Sequence, residues 1–296
     1  SNSNLLTVAS GRAVQRSLSL AFDKLSIEGA NTDGTEATVT LSMADRQGNP
    51  VPPGTQVNFV TESGVILPAV CFVPPVTPAT ASSPAIPTSS CTVKIRSQGA
   101  RTANGRVSVL AYVEGEEDFV DVNGNNIYDA GDSFTDLGRA FRDDNGNAVL
   151  GANGVYDTGE FQVPRVNVSA CTAAAGCVGD GVWGAADVRA QGTIIFATSG
   201  AVIRGAIAGN ALNFTIADGN GNSMPTGSTV EVTGAVGNSS GSWLTCNIQS
   251  NSSFAIANTV APTITSSQFL CDSGDILTVK VTSPIGVTTS QSFIVP

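Results

Sequence analysis

Histidine is absent from the 296-residue chain. That absence removes Cys–His zinc sites, Ser–His–Asp triads and imidazole general bases, and with them much ordinary enzyme chemistry. Charged residues are scarce at 13%, while Gly (32) and Pro (14) are plentiful. Low charge with many turn formers and β-branched residues describes an all-β extracellular module better than a cytosolic helical protein. No window of 11 or more residues sustains apolar spacing at 3.6, so any helix should be short. Long hydrophobic runs are missing too. The best stretch, 192–207, is broken by Ser199, Gly200 and Arg204 and is too short to span a bilayer. No signal peptide opens the chain, and the natural N-terminus is expected upstream of Ser1. There is no basic patch, which disfavours nucleic acid as a partner. Trp183 and Trp243, with only three Tyr, form no aromatic strip for stacking sugars, so packing is the simpler role for both.

The length allows two domains with separate cores. Six cysteines, Cys71, Cys91, Cys171, Cys177, Cys246 and Cys271, are widely spread and contain no CxxC pair. An even count in this arrangement suits disulfides in an oxidising compartment, with buried free thiols the alternative.

The net charge of −10 sits in one place. Residues 114–160 hold twelve acids and two bases, Arg139 and Arg142, leaving the other residues neutral overall. Such a density of carboxylates repels itself unless it is disordered or gathers cations. Phe119, Ile127, Tyr128, Phe134, Phe141, Tyr156 and Phe161 within the segment argue for cations.

A repeat divides the chain. Asp45, Gly48, Asn49, Pro52, Gly54 and Val57 recur as Asp218, Gly221, Asn222, Pro225, Gly227 and Val230, at a constant offset of 173 residues. Each copy lies between alternating segments, 37–43 and 56–60 in the first, 211–216 and 229–232 in the second, which predicts strand, polar turn, strand. Cys71 and Cys246 each follow the second strand, and Cys91 and Cys271 each precede another. The cysteines are therefore expected to obey the repeat, pairing Cys71 with Cys91 and Cys246 with Cys271 in comparable loops, with Cys171 and Cys177 clipping a Gly/Ala-rich loop. Two copies of short strands with regular turn signals predict two tandem β-sandwiches, immunoglobulin-like being the commonest such architecture.

The run Asp45, Gly48, Asn49, Pro50, Val51, Pro52, Gly54, Val57, followed by the strand 105–112, resembles the bacterial Ig-like group 1 (Big-1) domain, the family of the intimin and invasin stalk repeats. The resemblance covers roughly residues 20–120 and is most specific at 45–57. The second copy, 191–296, resembles it less, with Asn222-Ser-Met-Pro225 in place of the Asn-Pro-Val-Pro run. The resemblance implies a rigid extracellular spacer or adhesin segment without catalysis. The Pro-rich loop 71–91 and the acidic segment depart from the family pattern. The expected layout is a leading segment 1–19, a first Ig-like domain 20–190 with an insert at about 114–162, and a second Ig-like domain 191–296.

Within the insert, Asp121, Asn123, Asn125, Asp129 and Asp132 stand at positions 1, 3, 5, 9 and 12 of a loop, and Ile127 can offer its carbonyl at position 7. This is the oxygen-ligand spacing of the EF-hand calcium loop. Asn126 stands where Gly is usual and also tolerates the left-handed conformation. Asp132 replaces the usual Glu, as in dockerin-like loops. A second copy is interrupted: Asp143 and Asn145 open it, and Asn153, Val155, Asp157 and Glu160 finish it once residues 147–152 are set aside. Flanks rich in Gly, Asp and Phe are too short for EF-hand helices. A lone Asx-rich turn is usually only a turn. Two near-copies holding all the surplus charge predict one or two structural calcium ions, with affinities in the roughly 0.1–1 mM range of extracellular modules. Magnesium rarely uses such cages. A glycosidase acid pair is disfavoured because the clustered acids fit the calcium spacing.

The sequence thus predicts a non-enzymatic, exported surface module, structural or adhesive. Its partners would be an unidentified surface receptor or neighbouring Ig-like domains, and the periplasm is the alternative compartment. A carbohydrate-binding or enzyme-accessory module is the alternative function.

Overall fold

The computed structural model describes residues 11–75, 89–144, 153–237 and 245–296. Among them the only helix is one 3-10 turn, Gln15–Ser17. Everything else regular is strand.

The first set comprises β1 (Ser19–Phe22), β2 (Ser26–Ile27), β3 (Glu36–Ser42), β4 (Gln56–Thr61), β5 (Val65–Leu67), β6 (Val70–Phe72), β7 (Ser90–Arg96), β8 (Arg106–Glu116), β9 (Phe119–Val120), β10 (Ser133–Phe134) and β11 (Ala185–Phe196). It forms sheets ordered β1-β3-β7-β5 and β2-β11-β8-β4-β6, with β9 and β10 as a separate ribbon. The second set comprises β12 (Ala201–Ala208), β13 (Ala211–Asp218), β14 (Thr229–Ala235), β15 (Asn247–Ile248), β16 (Ser253–Ala255), β17 (Thr263–Leu270), β18 (Ile276–Thr282) and β19 (Thr288–Ile294). Its sheets run β12-β13-β17-β15 and β16-β14-β18-β19. The two orders are the same when β1, β3, β4, β5, β6, β7, β8 and β11 are set against β12 to β19 in turn. The chain forms two tandem immunoglobulin-like sandwiches. By packing it divides into compact units of residues 1–23, 38–95 and 108–192, and of 24–37, 96–107 and 193–296, so the division passes through β3, β7, β8 and β11.

Alternation builds both cores. Ala37, Val39 and Leu41 of β3 are buried while their neighbours are not, and Leu277, Val279 and Val281 of β18 do the same in the second sandwich. Each buried Val or Leu contributes about 1.5–3 kcal/mol relative to exposure. β8 breaks the alternation, with Val107, Ser108, Val109, Leu110 and Ala111 buried in succession. Its second face is covered: Leu110 packs with Ala140 and Val163, flanked by Tyr112 and Phe161. Burial on both faces explains the unbroken buried run, in which the one polar member, Ser108, donates to Asp143 O at 3.0 Å.

The repeated turn is a buried capping device. Asp45 is 0% exposed. Its carboxylate accepts from Gln47 N at 2.9 Å, Asn49 N at 2.7 Å and Asn49 Nδ2 at 3.2 Å. Asp218, also 0% exposed, accepts from Asn220 N at 2.9 Å and Asn222 N at 2.8 Å. Gly48 and Gly221 take φ of 82° and 84°, where L side chains are strained. Further on, Thr55 and Ser228 hydroxyls donate to the Pro52 and Pro225 carbonyls, each at 2.7 Å. The motif is therefore structural in both copies.

Three disulfides are present: Cys71–Cys91, Cys171–Cys177 and Cys246–Cys271. Their positions do not follow the repeat. Cys71 lies in β6 and Cys91 within β7, so this bond joins the two sheets. Cys246 precedes β15 and Cys271 follows β17, one residue beyond the Asn247↔Leu270 pair, so this bond joins neighbours in one sheet. Which loop a disulfide closes is legible from spacing; which strands it staples depends on pairing.

Candidate metal centre

The insert leaves β8 at Glu117, a residue 3% exposed. The Glu117 carboxylate accepts from Leu137 N at 2.7 Å and Gly184 N at 3.0 Å, and its carbonyl accepts from Trp183 Nε1 at 2.9 Å. One side chain thereby ties the start of the insert to its middle and its exit. Burial is the main reason the Glu117 carboxyl is held above its ordinary range, with Asp136 and Asp180 adding repulsion against the two amide donors.

The first loop hangs between β9 and β10, which pair with Phe119 opposite Phe134. Its flanks are a ribbon, not the helices of an EF-hand. Asp121 accepts from Asn126 N (2.7 Å), Gly124 N (2.7 Å) and Asn125 N (3.2 Å). The Asn126 amide is the main cause of a lowered Asp121 carboxyl, with the other two amides and the Arg46 charge acting the same way. Asn125 Oδ1 accepts from Ile127 N at 2.8 Å, and Asn125 Nδ2 donates to Asp129 at 2.7 Å. Asn123 Nδ2 also donates to Asp129, at 3.0 Å. Asp132 closes the loop, accepting from Val122 N at 2.9 Å and Asp129 N at 3.1 Å.

At its described positions 1, 5, 9 and 12 the second loop reproduces this scheme. Asp143 accepts from Gly154 N at 2.6 Å, as Asp121 does from Asn126. Asn153 Oδ1 accepts from Val155 N at 2.7 Å and Asn153 Nδ2 donates to Asp157 at 3.2 Å. Glu160 accepts from Asp144 N and Asp157 N, both at 2.8 Å. Position 6 is left-handed in both, Asn126 at φ 61° and Gly154 at φ 79°. Phe141 bridges Gln162 as Phe119 pairs with Phe134. The position-8 tyrosines meet the entry phenylalanines edge-on, Tyr128 with Phe119 at 5.6 Å and Tyr156 with Phe141 at 5.8 Å. Asn145 and the 147–152 interruption lie outside the described residues.

The fit to a hard cation is partial as the side chains stand. Oxygens occupy positions 1, 5, 9 and 12 of both loops, and the Asn amides would have to rotate to turn Oδ1 rather than Nδ2 toward position 9. Among the described residues, the one trio of His, Cys, Asp or Glu ligand atoms within 4.8 Å is Cys246, Cys271 and Asp275. Its two sulfurs are bonded to each other, so it is no metal site. The loop carboxylates are spaced by amide donors.

Side chains outside the spacing rule hold the loops in place. Tyr128 stacks on Trp183 at 4.9 Å and 19°, so Trp183 packs internally; Trp243 lies outside the described residues. The Arg46 guanidinium sits 3.8 Å over the Phe119 ring, donates to Asn126 Oδ1 and lies 4.0 Å from Asp121. Arg142 forks onto Asp144 at 2.6 and 2.7 Å and donates to Thr61 O at 2.7 Å. Burial, then Asp143 and Asp144, raise the Glu160 carboxyl against the pull of its two amide donors. Spacing did not mark Glu117, Trp183 or Arg46. One signal for Arg46 exists: Gly219 stands at its place in the second copy of the repeat, which carries no acidic insert.

No family model matches the chain, and no curated protein sequence matches it. Solved structures do. The Yersinia pseudotuberculosis adhesin InvE is 13% identical, with 96% of this chain and 60% of that one covered and a TM-score of 0.27. A C-terminal intimin fragment in complex with the intimin-binding domain of the translocated intimin receptor is 11% identical, with 94% and 63% covered and a TM-score of 0.29. The D0-D1 domain of intimin is 14% identical, with 93% and 97% covered and a TM-score of 0.26. The chain spans about six-tenths of the first two.

Proposed function

We propose that the chain is a non-catalytic extracellular module of a bacterial surface protein, structural or adhesive, whose acidic insert is stiffened by calcium. The observation that carries the calcium part is the match of the two loops at positions 1, 5, 9 and 12. Two segments of different sequence, one of them interrupted, adopt the same amide-to-carboxylate scheme at positions 1, 5, 9 and 12. Turns that serve only to reverse the chain do not need that agreement, whereas cation cages do. Asp121, Asn123, Asn125, Asp129 and Asp132, with the Ile127 carbonyl, would hold one ion. Asp143, Asn145, Asn153, Asp157 and Glu160, with the Val155 carbonyl, would hold a second. Bound calcium would offset part of the surplus charge and fix the spacing of the carboxylates; no bond is made or broken in substrate. Three disulfides support an oxidising compartment. The solved structures named above are of adhesins, which is the kind of protein this reading describes.

Isothermal titration of the chelator-treated protein with calcium tests the reading. One or two sites of submillimolar to millimolar affinity, with magnesium much weaker, are expected; heats indistinguishable from dilution would remove calcium from the account.

A further inference from the structure

Arg189 lies in β11, within the first compact unit. The other arginines of that unit are partnered. Arg12, Arg16, Arg46, Arg142 and Arg165 each lie against a carboxylate, at 2.6 to 4.0 Å. Arg139 donates twice to the Val168 carbonyl. Arg189 has one long hydrogen bond, from a terminal nitrogen, Nη1, to Gly138 O at 3.3 Å. Burial is the main reason its guanidinium is held below the ordinary range, with the Asp187 charge acting against it. Asp187 itself is paired with Arg165 at 3.1 Å. Among the described residues, Nε and Nη2 of Arg189 have no hydrogen-bond partner. Neither is sealed from solvent: the sealed, unpartnered side-chain atoms among the described residues belong to Glu28, Thr102, Arg106 and Asp118.

Arg189 and Phe141 line one cavity of about 270 Å³ with Leu110, Asp143, Gly154 and Gln191, all of the same unit. The guanidinium carbon stands 5.7 Å from the centre of the Phe141 ring. The neighbouring polar groups are already engaged. Gln191 donates to Asp143 O at 2.7 Å and accepts from Asp143 N at 2.9 Å. Gly154 N donates to Asp143 Oδ2 at 2.6 Å. The side-chain donors left over are those of the guanidinium. A partly desolvated guanidinium without an acceptor is unfavourable unless a ligand supplies one.

The two unpartnered nitrogens belong to one edge of the guanidinium plane, the fork that takes two carboxylate oxygens at once. A phosphate or sulfate would bring further oxygens that no remaining side-chain donor here can meet, and its second charge would face Asp143. A carboxylate carries a single charge on two oxygens. We propose that this cavity binds a carboxylate, held side-on by Nε and Nη2 of Arg189. The acid is either a small free molecule or a glutamate side chain on a partner polypeptide, and the test separates the two.

The intact chain is titrated with acetate and with Nα-acetyl-glutamate methylamide, followed by NMR at the Arg189 Nε–H. Asp143 belongs to the second loop, so titrations are made with and without calcium, and binding in either condition supports the site. Saturable millimolar binding of a carboxylate is expected. Stronger binding of the glutamate compound marks a presented side chain; equal or stronger binding of acetate marks a free acid. Nα-acetyl-glutamine methylamide, the same shape without the charge, should not compete. That arm needs no variant, so it decides the matter even if Arg189 variants do not fold. Arg189→Gln should weaken binding about tenfold or more. Arg189→Lys, which keeps the charge and loses the fork, should weaken it several-fold. No saturable binding of either acid, equal binding of the glutamine compound, unchanged binding in Arg189→Gln, or tighter binding of inorganic phosphate would each overturn the assignment. Calcium heats are read with no carboxylate added, so this reading and the calcium reading fail separately.

Discussion

Single side chains decide how the acidic insert is held. Glu117 uses both carboxylate oxygens on separate backbone amides. Glu117→Gln turns one oxygen into a donor facing a donor, and should lower stability by about 1–3 kcal/mol in urea unfolding. Asp121 stands at the first position of the first loop, under three amides. Asp121→Ala should abolish the first loop's calcium heat while leaving the second loop's, as read by titration. The oxygen spacing was legible along the chain because such loops are local: every partner of Asp121 but Arg46 lies within a few residues. Glu117 and Trp183 were not legible, because their meeting joins residues 66 positions apart, and no local pattern records that.

At the scale of elements, the loops are hairpin-like appendages on β8 and its neighbours. Calcium at 10–100 times its dissociation constant should stabilise the protein by about 1.4–2.7 kcal/mol per site. That corresponds to a rise of roughly 3–10 °C in melting temperature, measurable by calorimetry. Chelator should in turn make residues 114–162 the first region cut in limited proteolysis. Removing the Cys71–Cys91 bond as a double Ala variant should lower stability by about 3 kcal/mol, since it closes a 20-residue span and joins two sheets. β3, β4, β13 and β14 were visible in the sequence through alternation and the Asp45 and Asp218 turns. β8 was visible as the strand 105–112; that its second face lies under Ala140 and Val163 depends on a segment some 30 to 50 residues later.

For the whole molecule, charge and pH are linked. Burial raises the carboxyls of Glu62, Glu116, Glu117 and Glu160 above the ordinary 4.5. A raised folded-state acid favours folding below the unfolded value, and that contribution is lost as pH climbs through the folded value. The calcium-free protein should therefore melt at lower temperature as pH rises from about 4.5 toward neutrality, and added calcium should flatten that dependence. Asp121 works in the opposite sense: its contribution is present above 3.8 and disappears as pH falls below it. A melting curve insensitive to pH in chelator would contradict the raised carboxyls. What the chain by itself determined is whatever a short stretch encodes: all-β character from alternation, two copies from a 173-residue offset, and paired loops from oxygen spacing. Tertiary structure alone decided which strands the disulfides join, how Arg46 and Trp183 brace the first loop, and that Arg189 stands over Phe141 beside the Gly138 carbonyl. Those facts arise from groups brought together over long chain separations, where packing rather than local sequence selects the neighbour.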